Sequence, residues 1–305
     1  MLRRLLFALA LLAFAAPAPV ALAQTAPGPS GSPDPSSPSV EPRAPFAPDT
    51  PDLGGAPADL PQSQCLAVAR GLGDLPVRYA SLAAPAQADP FSVTIRFATH
   101  STYVIETPGG VTIATDFAGW AGPGVTPRVV TMNRAHSSHY TMSPDPAIEH
   151  VLPGWGAVPG EPAAHALTVD DVFIRNVTTD IDRWGERSPD ANSIFVFEVA
   201  GLCIAHLGHL HHRLADRHYA QLGRMDVLMV PVDGGLTLNH EGMTEVVRRL
   251  RSSIILPMHR RGQPLSRFVA MLGEGFAVET LAEPVMTLSL RDLPSVPTVV
   301  VMPGI

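Results

Sequence analysis

Runs of β-branched and aromatic residues recur along the chain and predict a sheet-rich domain. The first is FSVTIRF at 91–97, and TYVIET at 102–107 and VTIATD at 111–116 follow it. A Pro-Gly-Gly turn at 108–110 joins the last two runs, a spacing that predicts a hairpin. Further runs of this kind predict strands at 128–132, 171–177, 193–199 and 202–206.

The pattern changes after residue 213, where helical and strand periods alternate. It predicts a helix at 214–222, a strand at 226–231, a helix at 240–251 and a strand at 253–257. Strands first and strand–helix alternation later indicate a layered α/β architecture in which helices cover the sheets.

Histidines cluster at the ends of three predicted strands. His136 and His139 follow the strand ending at 132, and His259 follows the strand at 253–257. His206 ends the strand at 202–206, and His209 follows it. Such loops gather functional groups in α/β folds. Because imidazole is the commonest zinc ligand, and a catalytic zinc usually takes three protein ligands and a water, these residues are candidate metal ligands.

A structural role is the alternative for each histidine. A single histidine at a strand end, such as His259, more often makes structural hydrogen bonds than binds a metal. His211, His212 and His218 are expected on a solvated helix start, and no companion motif accompanies His150, His165 or His240.

The amino terminus predicts export. Arg3 and Arg4 precede an apolar stretch, and the small-residue pattern ending at Ala23 predicts a signal peptide at 1–23; an uncleaved anchor is the alternative. Residues 24–63 contain eleven prolines and predict a disordered linker ahead of a domain at 64–305. We therefore expect a periplasmic or secreted protein with no membrane span after cleavage.

The charge of the chain bears on its partners, and its two cysteines bear on a possible disulfide. The net charge of -7 argues against nucleic-acid binding. Cys65 and Cys203 could pair in an oxidising compartment. Because Cys203 lies within the apolar run IFVFEVAGLCIAH, the sequence favours a buried thiol over a disulfide.

Three segments resemble a known family. THSTYVIETPGGVTIATDF, HLGHLHHRLADRHYAQLGRMDVLMVPVDGG and SSIILPMH match, in order and spacing, the metallo-β-lactamase fold hydrolases of the branch related to L-ascorbate-6-phosphate lactonase. The resemblance covers about 91–290. It implies an αββα sandwich of the α/β class and a metal-dependent hydrolase whose partner is a small-molecule substrate.

The chain departs from the family's H-x-H-x-D-H loop. Its counterpart is RAHSSH, in which Arg134 replaces the first histidine and Ser138 the aspartate. His209 stands at the position of a bridging aspartate, and Thr179 at that of a further histidine. The resemblance therefore implies one zinc, or another divalent transition metal, in place of two.

The remaining residues define the predicted site. The candidate metal ligands are His136, His139, His209 and His259, with His206 as a ligand or a supporting residue. Asp116 and Asp233 are candidate supporting carboxylates or a replacement general base, or else ordinary turn residues. Arg134 either binds an anionic substrate group or repels a second metal.

Two functions are consistent with this site. Three ligands and an open water position predict hydrolysis of a lactone, ester or phosphoester by a metal-bound hydroxide. A closed four-ligand site predicts a non-catalytic protein with a structural metal or a ligand-binding pocket. The surviving histidines favour the hydrolase.

Overall fold

A computed structural model describes residues 63–66, 91–158, 160–183 and 185–305. The signal peptide predicted at 1–23 and the linker predicted at 24–63, apart from Ser63, lie outside these residues. Within the described ranges, no helix is long and apolar enough to cross a membrane.

The domain alternates between strands and a few short helices. In chain order the elements are β1 (Val93–Thr99), β2 (Thr102–Glu106), β3 (Thr112–Ala114), β4 (Val129–Met132), β5 (His150–Pro153), β6 (Ala166–Val169), β7 (Val172–Arg183), β8 (Glu186–Val199), β9 (Leu202–His206), α1 (Asp216–Leu222), β10 (Val227–Pro231), α2 (His240–Leu250), β11 (Ile254–Met258), α3 (Leu265–Leu272), β12 (Ala277–Thr280), β13 (Val285–Leu288), a 3-10 turn (Leu290–Asp292) and β14 (Thr298–Val301).

The strands form two mixed sheets. The first has the order β13-β1-β2-β3-β4-β5, and the second has the order β12-β14-β11-β10-β9-β8-β7-β6. Every strand and helix predicted from residue 91 onward is present, and the predicted hairpin is the antiparallel pair β2–β3. The pattern did not indicate β5, β6, α3 or the strands after it, which are mostly short and partly exposed.

The core lies between the sheets. Large side chains from both inner faces, such as Ile95 and Tyr103 from the first sheet and Phe197 and Leu256 from the second, form one buried cluster. In the described part of the chain, all three α-helices pack on the outer face of the second sheet. Loop residues including Phe117 and Trp155 cover the outer face of the first. The α/β sandwich expected from the sequence is confirmed.

The hairpin of β7 and β8 is longer than its hydrophobic pattern predicted. Phe195 of β8 pairs with His206 at the end of β9, so residues 186–194 continue past the carboxyl end of β9. These residues are largely polar, and cross-strand pairing with β7 holds them in place. The hairpin therefore forms an arm beside the edge where the strand-end histidines emerge.

The prediction of a free buried thiol at Cys203 was wrong. Cys203 is buried, but it forms a disulfide with Cys65, whose Cα lies 5.9 Å away. The carboxylate of Glu198 holds the incoming chain in place, because it accepts hydrogen bonds from Ser63 Oγ and from the backbone of Gln64. The sequence could not reveal this approach, since 138 positions separate the two cysteines.

Opening the disulfide should destabilise the domain. We expect a Cys65→Ser variant to lose about 2–4 kcal/mol of unfolding free energy, because the crosslink restricts the unfolded chain. Urea denaturation of the oxidised protein, the reduced protein and the variant checks this. Thiol titration in denaturant should find no free thiol in the oxidised protein; two thiols would contradict the pairing.

Candidate metal centre

The two sheets bring their strand ends to one place. In the first sheet β1, β3 and β4 run in the same direction, and in the second β9, β10 and β11 are parallel. His100 follows β1, His136 and His139 lie in the loop after β4, His209 follows β9 and His259 follows β11. All five residues therefore come from carboxyl ends of strands.

Imidazoles converge at this junction. One ring nitrogen from each of His100, His136, His139 and His259 lies within 4.8 Å of the others. His209 completes the group, with ring centroids 5.0 Å from His136 and 4.8 Å from both His139 and His259. The cluster is thus built by the turn after β1 and by the loops after β4, β9 and β11.

Asp116 orients the ring of His139 from behind. Both side chains are fully buried, and His139 Nδ1 donates to Asp116 Oδ2 over 2.6 Å. Burial alone would raise the pKa of Asp116, but the nearby His206 and the hydrogen bonds from His139 and Asn133 lower it overall. The carboxylate therefore stays ionised, and His139 keeps its lone pair on Nε2, facing the cluster.

Asp233 holds His259 in the same way. Nδ1 of His259 donates to Asp233 Oδ2 over 2.9 Å. Oδ1 accepts from the backbone of the following turn, including Gly235 and Thr237. Burial would raise the pKa of this carboxyl, but its donors outweigh burial and hold the pKa well below the ordinary value. The aspartate of a Gly-Gly turn thus has a second role at the site.

Side chains also contact the Nδ1 atoms of His136 and His209, which are the rear ring nitrogens, facing away from the cluster. Nδ1 of His136 lies 2.7 Å from Ser138 Oγ, and Nδ1 of His209 lies 2.7 Å from Nε2 of His211. Burial, followed by the neighbouring imidazoles, lowers the pKa of His209, so its ring is neutral at neutral pH. Neutral imidazole is the form that binds metals.

Three nitrogens of the cluster fit a metal ion. Within the described residues, Nε2 of His100, His139 and His209 is buried and has no hydrogen-bond partner. Such an atom costs about 1–3 kcal/mol when left unsatisfied, and several rarely occur together. Nε2 of His136 and of His259 also lie only 3.3 Å apart. A shared divalent cation would satisfy these lone pairs together.

His100 was not among the ligands predicted from the sequence. The residue is half-buried with a positive φ of 41°, and its carbonyl accepts a hydrogen bond of 2.8 Å from His259 N. Its ring centroid lies 4.2 Å from that of His259. Burial and the neighbouring histidines lower its pKa to about 3. Its position after a strand, the signal that identified the others, could have revealed it.

The other predicted site residues have different surroundings. His206 uses both ring nitrogens on the backbone: Nε2 donates to Ser101 O, and Nδ1 accepts from Gly208 N. This arrangement favours the supporting role for His206 over that of a ligand. Arg134 is exposed and lies with Ala135 beside a cavity of about 520 Å³. The contacts of Asp116 and Asp233 likewise favour support of the imidazoles over a role as general base.

Two asparagines hold the loops around the cluster. Asn133 donates to Asp116 Oδ1 and accepts from Ser193 N, which joins the two sheets. Asn192 accepts from the backbone of His209. Gly208 passes between them at φ +60°, where an added Cβ would lie 2.4 Å from each. Only glycine fits at this close approach.

Comparison with known families identifies the chain. The model of the β-lactamase superfamily domain matches residues 94–259, more than half of the sequence. The chain belongs to the β-lactamase superfamily. Its fold is that of the superfamily's metal-dependent hydrolases, and within the superfamily the lactonase-related branch stays a prediction. A comparison with curated proteins found no match.

Several solved structures are similar to this chain. A candidate zinc-dependent hydrolase of the metallo-β-lactamase superfamily from Thermotoga maritima is 28% identical with a TM-score of 0.50, covering 69% of this chain and 98% of that one. A candidate metal-dependent hydrolase from Parabacteroides distasonis is 14% identical with a TM-score of 0.49, covering 60% and 89%. A metallo-hydrolase from Ignicoccus hospitalis is 17% identical with a TM-score of 0.45, covering 65% and 99%.

Removing the rear carboxylates should weaken metal binding. We expect Asp116→Asn and Asp233→Asn each to lower zinc affinity by about 10- to 100-fold, because the imidazoles lose the charge that orients them. Competition with a chelating indicator measures the change. Asp216→Asn, at a carboxylate 90% exposed on α1, is the matched control and should bind zinc as the parent does. Equal affinities in all variants would refute the role.

A methyl group at Gly208 should damage the same site. Gly208→Ala should cost at least about 2 kcal/mol of unfolding free energy, because the Cβ collides with both asparagines at a positive φ. Gly235→Ala is the control, since its Cβ meets nothing within 4 Å. Thermal and urea unfolding distinguish the two. Similar stability for both variants would contradict the close packing at Gly208.

Proposed function

We propose that this superfamily member is an exported hydrolase that uses one divalent metal, zinc in the first instance, to cleave a small lactone, ester or phosphoester. The observation that carries the proposal is the imidazole cluster with three buried, partnerless Nε2 atoms among the described residues. Its place at the carboxyl ends of the strands matches the usual position of sites in α/β folds.

The imidazoles differ in their access to solvent. His139, His209 and His259 are buried, whereas His100 and His136 are only half-buried. Substrate would therefore approach from the side of the half-buried pair. A metal held by these imidazoles would supply Lewis-acid chemistry, which activates water and polarises a carbonyl or phosphoryl oxygen. His139, His209 and His259 supply rigid ligands on the buried side, and Asp116 and Asp233 keep their tautomers fixed.

The cavity beside Arg134 is the candidate substrate site. Arg134 lies two residues before His136, and the indole of Trp155 forms another part of the lining. The β7–β8 arm adds Ile181 and Arg187. Among the described residues no carboxylate pairs with the Arg134 guanidinium, which leaves its donors available to an anionic substrate group.

Export is supported by two independent features. Residues 1–23 have the pattern of a signal peptide. The disulfide between Cys65 and Cys203 is of a kind that persists in oxidising compartments such as the periplasm.

A panel of chromogenic substrates tests the proposal. Zinc-loaded full-length protein should hydrolyse at least one of p-nitrophenyl acetate, bis(p-nitrophenyl) phosphate and a γ-lactone, and His136→Ala should lose about 100-fold or more of that rate. His150→Ala, at a histidine on β5 outside the cluster, is the control. A zinc-bound protein that cleaves none of them would favour the non-catalytic alternative.

Arg134 should act on substrate binding and leave metal binding unchanged. For an anionic substrate, Arg134→Gln should raise KM by about 10-fold or more with a smaller change in kcat, because a charge-assisted hydrogen bond is lost. Arg267→Gln, at an exposed arginine on α3, is the matched control. A neutral ester should show little change in KM. An equal effect on both substrates would exclude anion recognition by Arg134.

A further inference from the structure

The cluster points to a metal centre without carboxylate ligands. We infer that it is an all-imidazole site, with His100 as one of its ligands, that selects a late first-row divalent ion such as zinc and discriminates against manganese and magnesium. The inference rests on the metal-binding half of the proposed function and is independent of whether hydrolysis occurs.

Both nearby aspartates are placed behind the rings. Asp116 meets His139 at Nδ1, and its other oxygen accepts from Asn133. Asp233 meets His259 at Nδ1, and its Oδ1 accepts from backbone donors. Nδ1 and Nε2 lie on opposite edges of an imidazole, so a carboxylate bound at Nδ1 does not reach a metal bound at Nε2. The carboxylates therefore tune the ligands from behind.

Among the described residues, no other carboxylate joins the cluster. The group whose ring nitrogens lie close enough to hold an ion contains His100, His136, His139 and His259, and no aspartate or glutamate. In the loop after β4, Ser138 contributes a hydroxyl to Nδ1 of His136. The loop thus brings two imidazoles and no anionic oxygen to the centre.

His100 and His209 each adjoin the same three imidazoles. The rings of His136, His139 and His259 contact one another, and both His100 and His209 contact all three. Among the described rings, His100 and His209 make no contact with each other. Both also present a buried Nε2 without a partner. The triad therefore has two further imidazoles available as ligands.

The ligand type sets the preference for the metal. Imidazole suits zinc, copper, nickel and iron, whereas magnesium, calcium and manganese prefer carboxylate and other oxygen ligands. Uncharged ligands also provide no anionic charge to compensate a hard cation for its lost hydration. A centre built from imidazoles alone therefore discriminates by ligand softness.

Metal affinities of the full-length protein test the inference. After removal of metal by a chelator, competition with an indicator should show zinc binding tighter than manganese by well over an order of magnitude, and magnesium not competing. His100→Ala and His209→Ala should each weaken zinc binding by about 10-fold or more. His150→Ala, outside the cluster, should match the parent.

A carboxylate introduced into the cluster should partly reverse its preference for zinc over manganese. His209→Asp should lower the ratio of zinc affinity to manganese affinity, because the aspartate supplies an oxygen ligand.

Pulsed electron paramagnetic resonance of the copper-loaded protein provides a second readout. It should detect several coordinated imidazoles and a change in their number in His100→Ala.

Two results would overturn the inference. One is manganese binding as tight as zinc binding. The other is a folded His100→Ala variant with unchanged zinc affinity and an unchanged copper spectrum. These outcomes are distinguishable from failure of the proposed function. Selective zinc binding without turnover would contradict the proposed hydrolase function and support the all-imidazole site. Turnover with equal affinity for manganese and zinc would support the hydrolase function and contradict the all-imidazole site.

Discussion

The structure of the site depends on pairing each buried imidazole with a partner at its rear nitrogen. A histidine in a dry interior loses the hydration of its polar nitrogens, and an unsatisfied one is costly. Asp116 and Asp233 meet this cost for His139 and His259, and both carboxylates are themselves saturated with donors. The rings are thereby fixed with their other nitrogen facing the cluster, which is the condition for metal binding.

The same constraint connects the two sheets. His259 donates its backbone N–H to the carbonyl of His100, and the hydroxyl of Tyr103 donates to Pro257 O. Asn133 connects Asp116 with β8. These bonds lie at the strand ends, where the two sheets would otherwise be free to separate. The ligands come from both sheets, so the site is intact only while the sandwich is closed.

Backbone strain is concentrated at the same place. His100, Asp116 and His259 all have positive φ values, a conformation uncommon for residues with side chains. Strain of this kind persists where the surrounding structure holds it, and it is common at functional sites. Here it allows the segments that leave β1, β3 and β11 to turn their side chains inward. The cluster is thus a product of tight turns as much as of its residue types.

The sequence alone determined the strands β1 to β4 and β7 to β11, the helices α1 and α2, and the strand-end position of four ligand candidates. These follow from local periodicity, which each segment carries in itself. The sequence also places His100 at a strand end, but only the tertiary structure revealed that it joins the cluster, that His206 is held by backbone partners, and that Cys65 reaches Cys203. Each of these depends on segments distant in the sequence becoming neighbours. Such proximity is decided by how the sheets pack, and no local pattern records it.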